Sequence, residues 1–172
     1  MENNPLLDIS RISGRRGSKS TGRFLTKIKQ MIQLKGNEMT FNFDREFQSM
    51  MQVNDLNTVI LLGHLNPDGD AAGSVMGLAH YIKVNYPQYK VLPYLADTLD
   101  KGPKKQVKLD KVFDPFEKPD VKEKYAVIVC DTAVLARMIG REYYEGAEAS
   151  IIIDHHASNE GYGDVNYTKI SE

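Results

Sequence analysis

Hydrophobic positions change period repeatedly between Phe43 and Ile153, and the changes outline alternating helices and strands. Phe43, Phe47, Met50, Met51 and Val53 recur mostly every three or four residues, which predicts a helix with the methionine pair filling its core face. Asn57-Thr-Val-Ile-Leu-Leu-Gly63 is β-branched and apolar on both faces, as a buried parallel strand should be. Ala71 to Tyr86 returns to helical spacing through Ala72, Val75, Met76, Leu78, Ala79 and Ile82, and stops at Pro87. Lys90 to Ala96 predicts a second strand, and Pro93 puts it near a sheet edge. Pro103 to Lys124 is charged and turn-rich, with room for one short helix. Tyr125–Cys130 predicts a third strand, Thr132–Tyr144 a helix and Ser150–Ile153 a fourth strand. Strand and helix alternate, so the expectation is an α/β fold with a parallel sheet and right-handed crossovers.

The first 38 residues follow no such pattern. Residues 10–23 are rich in Ser, Gly and Arg with almost nothing to bury, a composition that stays disordered. Phe24 to Leu34 has a fair helical spacing, interrupted by Lys27 and Lys29. Charge divides at the same place: residues 1–38 carry eight Lys/Arg against Glu2, Asp8 and Glu38, a net +5. Residues 39–172 carry 14 basic against 20 acidic residues, a net −6. The chain therefore reads as a basic arm, 1–38, joined to an acidic folded body, 39–172. An acidic body argues against extended non-specific nucleic-acid binding unless cations offset its carboxylates.

Composition narrows the class further. At 172 residues, 41% hydrophobic and 26% charged, the chain can build one core. Its best apolar runs, Val59–Leu62 and Ile151–Ile153, are strand-sized and far short of a membrane span, so no membrane partner is expected. Met1-Glu-Asn-Asn-Pro5 does not begin like a secretory signal, and the single Cys130 excludes an internal disulfide or a multi-thiolate zinc site. A cytoplasmic location follows as the expectation.

The unusual residues sit where predicted strands end. His64-Leu-Asn-Pro-Asp68-Gly-Asp70 follows the first strand, Asp131 follows the third, and Asp154-His155-His156 follows the fourth. In an open parallel sheet all those ends share one rim, where ligands bind. Four carboxylates and three imidazoles at one edge call for cations, and mixed His/Asp donors suit Mn, Fe or Zn better than Ca. Each residue also has a plainer reading: Asp70 or Asp131 as a helix cap, Asp68 as a turn residue, His64 as a loop or core histidine. Their joint arrival on one rim is what favours a metal site. His80, mid-helix, reads as a packing or solvent residue, and Cys130 as a small hydrophobe. The glycines of Gly69 to Gly77 form no dinucleotide fingerprint; they read as letting the helix approach the site and sheet closely.

Gly63-His-Leu-Asn-Pro-Asp-Gly-Asp-Ala-Ala-Gly-Ser74, Val129-Cys-Asp-Thr-Ala133 and Ile153-Asp-His-His156 resemble, in order and spacing, the first three motifs of the DHH phosphoesterase superfamily. The His-x-x-Pro-Asp-Gly-Asp-Ala form is most similar to its NrnA-like branch, hydrolases of short oligoribonucleotides that also dephosphorylate adenosine 3′,5′-bisphosphate. The resemblance covers about Asn57 to the C-terminus and implies a Rossmann-like parallel sheet flanked by helices. It further implies two manganese ions, with Mg or Co as alternatives, and water-driven displacement at phosphorus. His64 and Asp68 would hold one ion, Asp70 and His155 the other, and Asp131 would bridge them. His156 would bond the scissile phosphate or leaving group, with Asp154 supporting. Arg137 would touch phosphate, an exposed helix salt bridge being its alternative; Asn66 and Ser74 would contact substrate.

The family pattern continues with a fourth motif, an Asp ligand to the second ion, and a C-terminal substrate-gripping domain. Only 16 residues follow His156, and neither Glu160 nor Asp164 sits in such a context. The expectation is an N-terminal fragment whose second ion is one ligand short and whose sheet ends in an unpaired edge. Low or absent activity is expected of it alone, with a homodimer or a complementing C-terminal chain as partner options. Cyclic dinucleotides, pyrophosphate and single-stranded nucleic acid are other substrate options. The alternative is a metal-binding remnant that turns nothing over.

Overall fold

The computed structural model describes residues 41–95, 104, 107, 108 and 110–168. The basic arm, the 24–34 helix and Ala96 of the second strand lie outside the described residues, and so does most of the first part of the 103–124 segment.

Five strands form one wholly parallel sheet: β1 (Thr58–Leu62), β2 (Lys90–Tyr94), β3 (Tyr125–Cys130), β4 (Ala149–Asp154) and β5 (Val165–Thr168), in the order β2-β1-β3-β4-β5. Pro93 lies in β2, the edge strand, as its missing amide donor requires. Alternate β1 side chains serve opposite faces. Val59 and Leu61 pack under α1 (Phe43–Val53) and α2 (Gly69–Asn85), while Ile60 and Leu62 meet Met138, Tyr143 and Tyr144. All five β1 residues are buried, and each large aliphatic among them contributes about 1.5–3 kcal/mol by leaving water.

Local chemistry explains the helix ends. Asn42 caps α1 by accepting the Arg45 amide hydrogen at 3.0 Å, and Asp44 then accepts the Tyr81 and Tyr86 hydroxyls at 2.7 and 2.6 Å, pinning α1 to α2. His80 bonds Asp110 at 2.5 Å and stands edge-on to Phe113, in keeping with a packing role.

Four expectations need correction. The Thr132–Tyr144 helix is replaced by a 3-10 turn, Leu135–Arg137, and a short α3, Arg141–Gly146. Asp131 is left-handed (φ 51°), Val134 is extended and Gly140 is left-handed (φ 61°), so one continuous helix is broken at both ends. Arg137 thus lies on the 3-10 turn, and Asp131 caps no helix. Second, Asp68 rather than Asp70 is the N-cap of α2, its carboxylate accepting the Asp70 and Ala71 amides at 3.0 Å each. Third, the sheet has a fifth strand: Val165–Thr168 pairs with β4 in parallel, Asp164 anchors the join by accepting the Ser150 amide and hydroxyl, and β5 rather than β4 is the terminal strand. Fourth, a Cβ at Gly73 or Gly77 would meet nothing within 4 Å; Ala72, Val75 and Ala79 make the close sheet contact instead.

Gly140 carries a testable consequence. An added Cβ there would sit 2.9 Å from the Tyr143 ring and 3.2 Å from Tyr94, on backbone that L-residues resist. Gly140→Ala is expected to cost about 1–3 kcal/mol, read as a shifted urea midpoint; an unchanged midpoint would contradict this geometry.

Candidate metal centre

The sheet order reverses direction between β1 and β3. The chain leaves β1 toward α2 on one face, and leaves β3 toward α3 on the other. A crevice opens at such a switch point, outside the carboxyl ends of the strands. Register sharpens the placement. Leu62 pairs with Val129 and Val129 with Ile152, so His64, Asp131 and Asp154 each stand two residues beyond one paired row. The crevice walls are stitched together. Gly63 and Arg137 carbonyls accept the Ile139 and Leu65 amides, and His64 forms an antiparallel bridge with Met138.

Asp131 is the hub. His64 Nε2 lies 3.9 Å from its Oδ2, and His155 Nε2 lies 3.1 Å from its Oδ1. Asp68 approaches His64 at 4.0 Å, and Asp70 approaches His155 at 3.9 Å. Two donor groups result, His64–Asp68–Asp131 and Asp131–His155–His156, each with its donor atoms within 4.8 Å of one another and both sharing Asp131. Asp131 is buried, and its Oδ1 has no hydrogen-bond partner. Buried acceptors are rarely left so. Burial, with the Asp70 charge adding to it, pushes the Asp131 carboxyl above its ordinary range; His155, His156 and His64 work against that rise. A left-handed aspartate whose buried Oδ1 accepts no hydrogen bond although imidazole nitrogens stand 3.1 and 3.6 Å away, with further carboxylates near, fits a divalent cation held between those groups.

The flanking histidines are oriented from behind. The Leu65 carbonyl lies 2.9 Å from His64 Nδ1 and can only accept, so Nδ1 carries the proton and Nε2 presents a lone pair. Asp154, its side chain fully buried, accepts the His155 amide, the His156 amide and, at 2.7 Å, His156 Nδ1. Burial would raise the Asp154 carboxyl, but the bonds from the His156 ring, Asn159 and the two amides outweigh it and hold it below the usual range. The same bond raises the His156 imidazole, against desolvation and the Arg137 charge. Burial, reinforced by Asp131 and Asp154, pushes the Cys130 thiol up to about 12, so it stays neutral and inert, the small hydrophobe its sequence context suggests.

A cavity of about 220 Å³ opens beside this hub, lined by Asp70, Ser74, Asp131, Asp154, His155 and Tyr167 among others. A larger one, about 430 Å³, follows the β2 edge and includes none of the site residues. Ser74 therefore lies at the site. Asn66 is held exposed in a left-handed turn after His64, and exposed Arg137 is joined to that loop through its backbone. Tyr167, Thr132, Asn159 and Tyr162 were not legible as site residues. Tyr167 arrives on the unforeseen β5, and the others act through a hydrogen-bond network with no spacing signature.

The sequence profile described as the DHH family, N-terminal domain, matches residues 58–171. The chain is 33% identical over 114 residues to the bifunctional oligoribonuclease and PAP phosphatase NrnA of Bacillus subtilis (strain 168), covering 66% of this chain and 34% of that protein. It is 34% identical over 120 residues to the probable bifunctional oligoribonuclease and PAP phosphatase NrnA of Streptococcus mutans serotype c, covering 69% and 36% respectively. The chain thus spans about a third of the length of these curated relatives. Among solved structures, an exopolyphosphatase-related protein from Bacteroides fragilis matches with a TM-score of 0.50 at 18% identity, over 73% of this chain and 38% of that one. That likeness bears on the α/β fold alone.

Proposed function

This chain belongs to the DHH family, and on that premise we propose that it hydrolyses phosphoester bonds of short oligoribonucleotides and adenosine 3′,5′-bisphosphate at a two-cation centre, with manganese the metal. The observation that carries the proposal is the sharing of buried Asp131, whose Oδ1 accepts no hydrogen bond, between two donor groups. A carboxylate offers two oxygens and can bridge, which a neutral imidazole with one lone pair cannot. His64 and Asp68 would complete one group; in the other His155 would bind with Asp70, 3.9 Å from it, because the His156 Nδ1 that faces Asp131 already donates to Asp154. Bound divalent cations supply charge neutralisation and water activation for an in-line displacement at phosphorus.

The chain's own groups do the rest. His156 is held through Nδ1 by Asp154, leaving Nε2 to meet a phosphate oxygen or hand a proton to the departing alcohol. The same bond raises the ring's basicity, which favours the protonated form. Arg137 would offer a charged fork to phosphate, and Ser74, which lines the cavity, and Asn66, on the loop after His64, would offer polar contacts. Relatives are named for oligoribonuclease and PAP phosphatase activities, which fits a site reading phosphate and ribose more than a particular base.

The test incubates excess protein and Mn²⁺ with a diribonucleotide and, separately, with adenosine 3′,5′-bisphosphate, then resolves the products. Slow release of mononucleotide and of AMP is expected, stopped by EDTA and restored by Mn²⁺ better than by Mg²⁺ or Co²⁺. Product formation indifferent to EDTA, or none beyond a metal-only control, would sink the proposal.

A further inference from the structure

We propose that Asn159 is a positioning residue that fixes the separation between the two strand exits bearing Asp131 and the histidine pair, with Tyr162 as a second brace. The inference rests on reading the crevice as a cation centre. The Asn159 side-chain amide has two hydrogens, and it spends one on each strand exit: Asp154 Oδ2 at 2.6 Å after β4, and the Thr132 carbonyl at 3.3 Å after β3. Its orientation is fixed independently, because Asn159 Oδ1 accepts the Gly161 amide hydrogen at 2.8 Å, which leaves Nδ2 as the donor. The Asn159 backbone amide closes the same turn onto the His156 carbonyl at 3.1 Å. Thr132 directly follows the hub aspartate and is fully buried, and its carbonyl also accepts the Tyr162 hydroxyl at 2.6 Å. Tyr162 is in turn held edge-on by Tyr144, whose hydroxyl donates to the Tyr162 carbonyl. A single polar side chain therefore ties the residue after Asp131 to the residue before His155. Loss of that tie lets the two donor groups drift apart without removing any donor.

Asn159→Asp keeps the shape and the acceptor for Gly161, removes both donated hydrogens and sets a carboxylate against Asp154; Tyr162→Phe removes only the second brace. Two readouts separate positioning from the cation reading. In the metal-free chain, the Asp131 amide donates to the Ile153 carbonyl at 2.9 Å across the strand exits, so its hydrogen exchange reports their separation. Exchange at Asp131 is expected to speed up about tenfold in Asn159→Asp and less in Tyr162→Phe, while β1 amides keep wild-type rates. By calorimetry, Mn²⁺ affinity is expected to fall about tenfold or more in Asn159→Asp, the usual scale for groups that orient metal ligands. Wild-type exchange at Asp131 in both variants overturns the positioning role, and so does Mn²⁺ affinity within twofold of wild type in folded Asn159→Asp. A wild-type chain that takes up no Mn²⁺ overturns the cation reading instead, and the exchange data still decide the brace. If Asn159→Asp does not fold, Tyr162→Phe carries the same pair of measurements.

Discussion

Asp131→Asn is expected to remove Mn²⁺-dependent hydrolysis by on the order of a thousandfold, the scale of losing one pre-organised charged group at a reacting centre. Asparagine keeps the side-chain shape and tolerates the left-handed backbone at this position, so the fold survives the change. The same substitution is expected to leave the metal-free chain as stable as wild type or more so. The sign follows from the raised carboxyl. A group whose folded pKa lies above its unfolded value stabilises the fold when protonated, and that contribution is lost as pH rises through the folded value. At neutral pH the Asp131 charge therefore works against folding, and asparagine removes it. Mn²⁺ should raise the wild-type Tm and leave the Asp131→Asn Tm unmoved. Thermal melts with and without Mn²⁺ check both halves. A metal-free variant clearly less stable than wild type, or one still stabilised by Mn²⁺, would contradict this.

Asp154→Asn has the opposite profile. This carboxylate is buried and collects hydrogen bonds from the His156 ring, two backbone amides and Asn159. Asparagine would turn an NH₂ toward some of those donors, so a loss on the order of 3 kcal/mol is expected, together with a loosened His156. The pH dependence separates the two partners. Asp154 has a lowered pKa, so its contribution is present above the ordinary 3.8 and is lost as pH falls through the folded value. His156 has a raised pKa, so its contribution is present below 6.5 and is lost as pH rises through the folded value. The pair stabilises most between those limits. NMR titration of metal-free protein should place the His156 midpoint above 6.5 in wild type and lower in Asp154→Asn. A midpoint unmoved by the substitution would mean that the bond at Nδ1 does not set the ring's basicity.

Much of this was written in local pattern. Asn57–Gly63 and Tyr125–Cys130 are apolar on both faces, a signal that only a covered parallel strand satisfies, and both become central strands. His64, Asp131 and Asp154 were legible together because each follows such a strand, and parallel register carries equal offsets to one rim. The failures have physical causes. Val165-Asn-Tyr-Thr168 alternates between half-buried and exposed in a polar stretch; its strand exists because β4 offers an edge and Asp164 anchors the join, neither of which is local. The apolar spacing of Leu135, Met138 and Ile139 suggests a helix, but Met138 and Ile139 are drawn into extended pairing with Gly63 and His64. The cap of α2 fell to Asp68 because its extended backbone sets its carboxylate to accept the Asp70 and Ala71 amides. Asn159 has no periodic signature, since its partners lie five and 27 residues away in the chain.

The cation centre proposed for this chain draws on side chains that follow β1, β3 and β4 around Asp131, and anomalous scattering from a crystal soaked in Mn²⁺ locates the ions. Two peaks are expected flanking the Asp131 carboxylate, one against His64 and Asp68 and one against Asp70 and His155. Manganese found only elsewhere on the surface, with His64 and His155 turned away from Asp131, would contradict it.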